Sequence, residues 1–166
     1  MTALIVTADF APADFAWLDA LRRRHFPPER NQLPVHLTMF HALPPSAEAE
    51  IRRELGRHAA SHAPRATLAG LMNLGTGVAF RIVSDDLEAI RAELADHCHG
   101  LLSAQDNGWR PHVTIQNKVQ PSIARNLLVE LEKDFRPRPL VISALALHRY
   151  AGGPWEAIAR YPFRGS

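Results

Sequence analysis

Two triplets of one type, His36-Leu37-Thr38 and His112-Val113-Thr114, carry the side chains of this sequence best suited to chemistry. Each sits in a strand-like stretch, Pro34-Val35-His36-Leu37-Thr38-Met39-Phe40 and Pro111-His112-Val113-Thr114-Ile115-Gln116. Successive side chains of a strand point to opposite faces, so the His and Thr of a triplet share one face while Leu37, Met39, Val113 and Ile115 turn to a core. An imidazole gains or loses a proton near neutral pH, and a hydroxyl can donate to an anionic oxygen. One such pair, presented twice, can donate and accept protons around a phosphate.

Strand parity adds neighbours. Phe40 falls on the His36 face, and Gln116 and Lys118 fall on the His112 face. Lys118 would neutralise phosphate charge, and Phe40 would offer an aromatic surface to a base. Trp109 and Arg110, just before the second triplet, suit either task. The histidines at 41, 58, 62, 97, 99 and 148 read as ordinary surface or core imidazoles. His58 and His62 have the i, i+4 spacing of a metal pair on a helix, but no Glu stands beside them and no further ligand is placed. Neither triplet supplies a carboxylate, so no metal and no cofactor are expected.

The triplets are offset by 76 residues (112 − 36), and sliding the chain on itself by that offset aligns Asp9 with Asp85, Asn31 with Asn107, Pro45-Ser46 with Pro121-Ser122 and Glu54-Leu55 with Glu130-Leu131. Elements of the same type coincide too. The first half reads as a strand over residues 3–8, a helix over 12–25 opened by Pro12, the first triplet strand, a helix capped by Ser46, and a strand over 65–72. The second half reads as a strand over 78–83, a helix capped by Asp85 and running to about 102, the second triplet strand, a helix from Pro121, and two strands around Gly152-Gly153, a hairpin turn. This is an α+β pattern: a single domain over 1–166 built from a duplicated half, approximately 1–74 and 75–166, whose two halves pack as one bilobal unit.

The 166 residues allow one substantial core, and 46% hydrophobic with 22% charged residues is ordinary for a globular domain. No apolar run is long enough to span a bilayer, no secretory signal is seen, and Cys98, the only cysteine, excludes an intrachain disulfide. The expectation is a cytoplasmic monomer without membrane contact. Net charge of +2 argues for neither a strong polyanion binder nor an acidic partner. The run Arg22-Arg23-Arg24-His25 reads as a solvated helix end matched to the helix dipole.

The paired His-x-Thr strands, Pro111 before the second His, the element order and the closing hairpin resemble the 2H phosphoesterase superfamily, in particular its bacterial 2′-5′ RNA ligase-like branch. The resemblance covers essentially the whole chain. It implies two similar lobes, each an antiparallel sheet backed by helices, with a cleft lined by both triplets. It also implies metal-free chemistry on RNA or nucleotides bearing 2′,3′-cyclic phosphates or 2′-5′ linkages, with His36 as proton donor, His112 as proton acceptor, and Thr38 and Thr114 holding the phosphate. The runner-up is a nucleotide- or RNA-binding module with little catalysis; a different small cyclic phosphate is a third substrate reading.

Overall fold

The computed structural model describes residues 2–165. Seven strands and four helices run in the order β1 (Ala3–Phe10), α1 (Pro12–His25), β2 (Leu37–Leu43), α2 (Glu48–Ala59), β3 (Arg65–Asn73), β4 (Val78–Val83), α3 (Asp85–His97), β5 (His112–Gln116), α4 (Pro121–Glu132), β6 (Arg138–Tyr150) and β7 (Glu156–Pro162). A β-α-β-α-β unit therefore runs twice, and β7 comes after it.

The seven strands pair antiparallel throughout, and the strand order β2-β1-β6-β3-β4-β5, with β7 beside β6, reads the same from either end when the two units are exchanged. The third strand of each unit lies in the other unit's sheet: β6 pairs with β1, and β3 with β4. Each repeat unit thus lends its third strand to the sheet of the other. Near the middle of the order, Arg65 pairs with Val141, residues 76 apart in sequence, as expected where a pseudo-twofold axis crosses an antiparallel pair. Strand β6 belongs to both lobes, pairing with β3 through Arg138–Val141 and with β1 through residues 142–150.

Two helix caps differ from expectation. Helix α3 is capped by Ser84 rather than Asp85: its Oγ accepts from the Leu87 N–H (3.1 Å) and donates to the Arg65 carbonyl (2.6 Å). The helix stops at His97, and Gly100 beyond it takes the left-handed conformation (φ +80°) that favours glycine. Before α2 a 3-10 turn, Pro45–Ala47, intervenes, so Ser46 caps nothing.

The core is continuous behind the motifs. Leu37, Met39, Val113 and Ile115 are fully buried with Leu4, Val6, Phe80 and Leu145 in one cluster. Each motif strand then breaks its alternation at the same place. Thr7 pairs with Thr38 and Val6 with Phe40, skipping Met39; Ala79 pairs with Thr114 and Val78 with Gln116, skipping Ile115. Such bulges put two residues opposite one and re-aim the side chains beyond them. Phe40 and Gln116, the same position of the two repeats, consequently turn inward and are 0% and 3% exposed. Strand parity, which puts both in the cleft, fails there. Gly77 lies against the second bulge so closely that a Cβ would come within 1.9 Å of the Gln116 carbonyl oxygen, which only glycine permits.

Candidate active site

His36 immediately precedes β2, and His112 opens β5. Both motif histidines and both threonines line one cleft of about 490 Å³, together with His41, Gln105, Trp109, Arg110 and Trp155. The two rings are fixed alike. His36 Nδ1 lies 2.8 Å from the Pro34 carbonyl, and His112 Nδ1 lies 2.6 Å from the Arg110 carbonyl, each two residues upstream. A carbonyl only accepts, so Nδ1 carries the proton in both rings and Nε2 is left to exchange one. Neither Nε2 nor either threonine Oγ1 has a hydrogen-bond partner among the described residues.

No Asp or Glu lines this cleft among the described residues, while Arg110 does. The space therefore favours an anion. His36 is half-buried; burial outweighs the raising effect of the Pro34 hydrogen bond and, with smaller contributions from Arg22, His148 and His41, lowers its imidazole from 6.5 to about 4. At neutral pH this leaves the His36 ring uncharged.

Each motif strand is tied down from the other unit. Trp109 Nε1 donates to the Thr38 carbonyl (2.9 Å), and Arg22 Nη1 donates to the Thr114 carbonyl (3.0 Å). Arg22 is 5% exposed, stacked 4.4 Å over Phe26, with Nε on the Asn31 side chain (2.9 Å), so it is not the solvated helix end expected of it. A signal existed: Leu18 and Arg22 stand at i, i+4 on one face of α1, and both are buried. Arg91 on α3 adds a second tie, donating to the Met39 carbonyl (2.9 Å) and the Asp106 carbonyl (2.7 Å) while its guanidinium covers Phe40 at 4.4 Å. Phe40 is a structural residue under that cation, not a base platform.

His41 enters the cleft held by Asp106, whose carboxylate accepts from the His41 and Ala42 backbone N–H groups (both 2.8 Å) and lies 3.2 Å from His41 Nδ1. Burial alone would raise the Asp106 carboxyl; the hydrogen bonds from His41 and Ala42 outweigh it and hold it below the ordinary range. Trp155, read from sequence as a hairpin residue, stands edge-on to His36 with ring centres 5.0 Å apart and 5.5 Å from the ring of His148. His148 in turn bonds Thr7 Oγ1 at 3.0 Å. Nothing local in the sequence reveals Trp155, because a hairpin's lean over a neighbouring strand is set by tertiary packing. Lys118 lies on a groove that opens from the cleft.

Among the described residues, one group of His and Glu has metal-ligand spacing, Glu54, His58 and Glu93, and it includes neither His62 nor any residue of the cleft. The Arg57 guanidinium lies between its carboxylates, with Nη2 at 2.8 Å from Glu54 and 2.6 Å from Glu93. Among the described residues no helix is long and apolar enough to cross a membrane.

The fold is shared with solved structures. A Thermus thermophilus protein, TT0787, aligns with a TM-score of 0.65 at 18% identity, and Escherichia coli LigT complexed with 3′-AMP aligns at 0.62 and 17%, each over 98% of both chains. A structure described as a phosphoesterase aligns at 0.60 with 17% identity, over 98% of this chain and 99% of that one. Among curated sequences no significant match is found. The family model of the 2′-5′ RNA ligase superfamily matches residues 10–154, a span that holds both motifs, and the chain belongs to that superfamily.

Proposed function

We propose that this protein is a metal-independent phosphodiesterase that opens 2′,3′-cyclic phosphate ends of RNA or nucleotides. One observation carries the reading: two imidazoles, each with Nδ1 bound to a carbonyl and Nε2 unpartnered, share a carboxylate-free cleft with two unpartnered hydroxyls. A site for binding alone has no use for two imidazoles each presenting a nitrogen that can exchange a proton. That LigT, of similar fold, was crystallised with 3′-AMP supports a nucleotide as ligand.

The reaction has one acid and one base. A neutral imidazole takes a proton from water as its oxygen attacks phosphorus, the bond from phosphorus to one ribose oxygen breaks, and a protonated imidazole delivers a proton to that oxygen. Such acid and base groups contribute about 10²–10⁴-fold each. Thr38 and Thr114 donate to the non-bridging oxygens, where charge changes most. With the 5′-hydroxyl of a second ribose in place of water, the same transfers would join it to the cyclic end: its oxygen bonds phosphorus, the bond to the 3′ oxygen breaks and that oxygen takes the proton, leaving a 2′-5′ linkage.

The superfamily resemblance makes His36 the donor and His112 the acceptor. For His36 that role requires the substrate's own negative charge, because burial by itself keeps the ring neutral. Proton uptake at His36 then accompanies substrate binding.

The test is hydrolysis of 2′,3′-cyclic nucleotides and of an RNA with a cyclic end by purified protein in excess EDTA. Turnover of either, unchanged by EDTA, is expected. Absence of turnover on both, or activity that needs added zinc or manganese, would overturn the reading. Two separated imidazoles without a carboxylate are a poor divalent-ion site.

A further inference from the structure

A second polar groove, about 560 Å³, opens off the cleft and plays no part in the acid–base steps of hydrolysis. It shares His36, Thr114 and Trp155 with the reacting space, so a ligand can occupy both at once. Its far walls are the loop before β2, which brings Arg30, and the turn after β5, which brings Lys118. No Asp or Glu lines it, and neither Arg30 nor Lys118 has an ion-pair partner among the described residues. Arg22 lies at its base with Nε and Nη1 already committed to Asn31 and Thr114. It adds positive field there.

The turn that carries Lys118 is held in an uncommon conformation. Lys118 has φ +62°, the one non-glycine residue with positive φ among those described. A side chain in that region costs free energy and persists only where the surroundings impose it. Here they do: Asn117 Oδ1 accepts from the Lys118 N–H (2.8 Å) and from Thr76 Oγ1 (2.7 Å), and the Val119 N–H reaches the Thr76 carbonyl (3.0 Å). Asn or Gly would fit this conformation with less strain. The chain instead places a cation there, at the mouth of a groove that already holds Arg30.

We propose that this groove binds a second phosphate group of the substrate, adjacent to the one that reacts, through Arg30 and Lys118. The inference rests on the reading of the cleft as a nucleotide phosphodiesterase and narrows its substrates to those carrying another phosphate. That phosphate is either a 5′-terminal monoester of a mononucleotide or the next diester of an RNA end. Charge-assisted hydrogen bonds to it make a gain of about tenfold or more in affinity the expected scale, shrinking with added salt.

Calorimetric titration of the whole protein with 3′-AMP, adenosine 3′,5′-bisphosphate and the 3′-phosphorylated dinucleotide ApAp tests this. The bisphosphate should bind about tenfold more tightly than 3′-AMP, and the advantage should fall to within about twofold in Arg30→Ala and Lys118→Asn. Asn keeps the left-handed turn, so loss of the charge is separated from loss of the loop. An equal gain for the dinucleotide marks the groove as a site for the RNA diester; a gain for the bisphosphate alone marks it as a site for the terminal monoester. Equal affinity for all three ligands, or an advantage that survives both substitutions, would overturn the proposal. Turnover measured in parallel separates the two readings: turnover without the affinity gain refutes only the groove, and the gain without turnover refutes only the hydrolysis.

Discussion

The indole Nε1 of Trp109 donates a 2.9 Å hydrogen bond to the backbone carbonyl of Thr38. Its counterpart is Arg22 Nη1 on the carbonyl of Thr114, at 3.0 Å. In both cases the acceptor is the motif threonine and the donor comes from the other repeat, so the two motif strands are aligned to each other rather than merely to their own sheets. Positioning of this kind matters steeply, since a misplacement of about 1 Å can cost about 10²-fold in rate.

Trp109→Phe keeps an aromatic ring, though a smaller one, and deletes the donor. We expect kcat to fall about tenfold or more, KM to change less, and the pH profile to keep its shape, because neither imidazole loses its Nδ1 partner. Arg22→Lys should act the same way, since the ammonium lacks the fork that serves Asn31 and Thr114 together. Steady-state kinetics checks both; a shifted pH limb in either variant would show that these residues tune the imidazoles instead.

Burial of His36 has a consequence for stability. The unfolded chain binds this proton near pH 6.5 and the folded chain near 4, so between those values the unfolded state holds more protons. The folded state is fully favoured above about 6.5 and loses stability as pH falls toward 4, by on the order of 3 kcal/mol. Urea unfolding from pH 7 to 4 should show that loss, reduced in His36→Gln. Equal slopes for both proteins would mean that His36 titrates normally.

Phe40 and Gln116 should behave as core residues. Phe40→Ala removes a buried ring from beneath Arg91 and should cost about 3–5 kcal/mol of stability. Gln116 Oε1 is buried without a hydrogen-bond partner, so Gln116→Met should leave stability unchanged or raised. KM of the Gln116→Met protein should stay within about twofold of wild type; a large rise would return this side chain to the cleft.

Much of this arrangement is legible in the residues. Helix α1 falls over 12–25 because Pro12 opens it and Phe26-Pro27-Pro28 ends it, and β4 falls over 78–83 behind the Gly75-Thr76-Gly77 turn. The His-x-Thr period of two puts Leu37, Met39, Val113 and Ile115 in the core. Parity fails just past each triplet, since a bulge depends on what the partner strand pairs with, and β1 and β4 lie far from the motifs in sequence. The exchange of β3 and β6 between lobes is likewise a pairing choice that leaves no local mark. Trp155, His41 and His148 carry no local signal for the same reason: each reaches the cleft region through tertiary contacts, with Asp106 fixing His41 from 65 residues away.

The central claim, that His36 and His112 act as an acid and a base on one phosphate, is tested most directly by the pH dependence of turnover of a 2′,3′-cyclic substrate by wild type, His36→Ala and His112→Ala. Wild type should give a bell-shaped profile, since one ring must be protonated while the other is neutral. Each single replacement should lower kcat by about 10²-fold or more, and the two variants should lose opposite limbs of the bell. Thr38→Ala and Thr114→Ala should lower the rate and keep both limbs. A wild-type profile with one limb only, or near-normal turnover by His112→Ala, would contradict the two-histidine account.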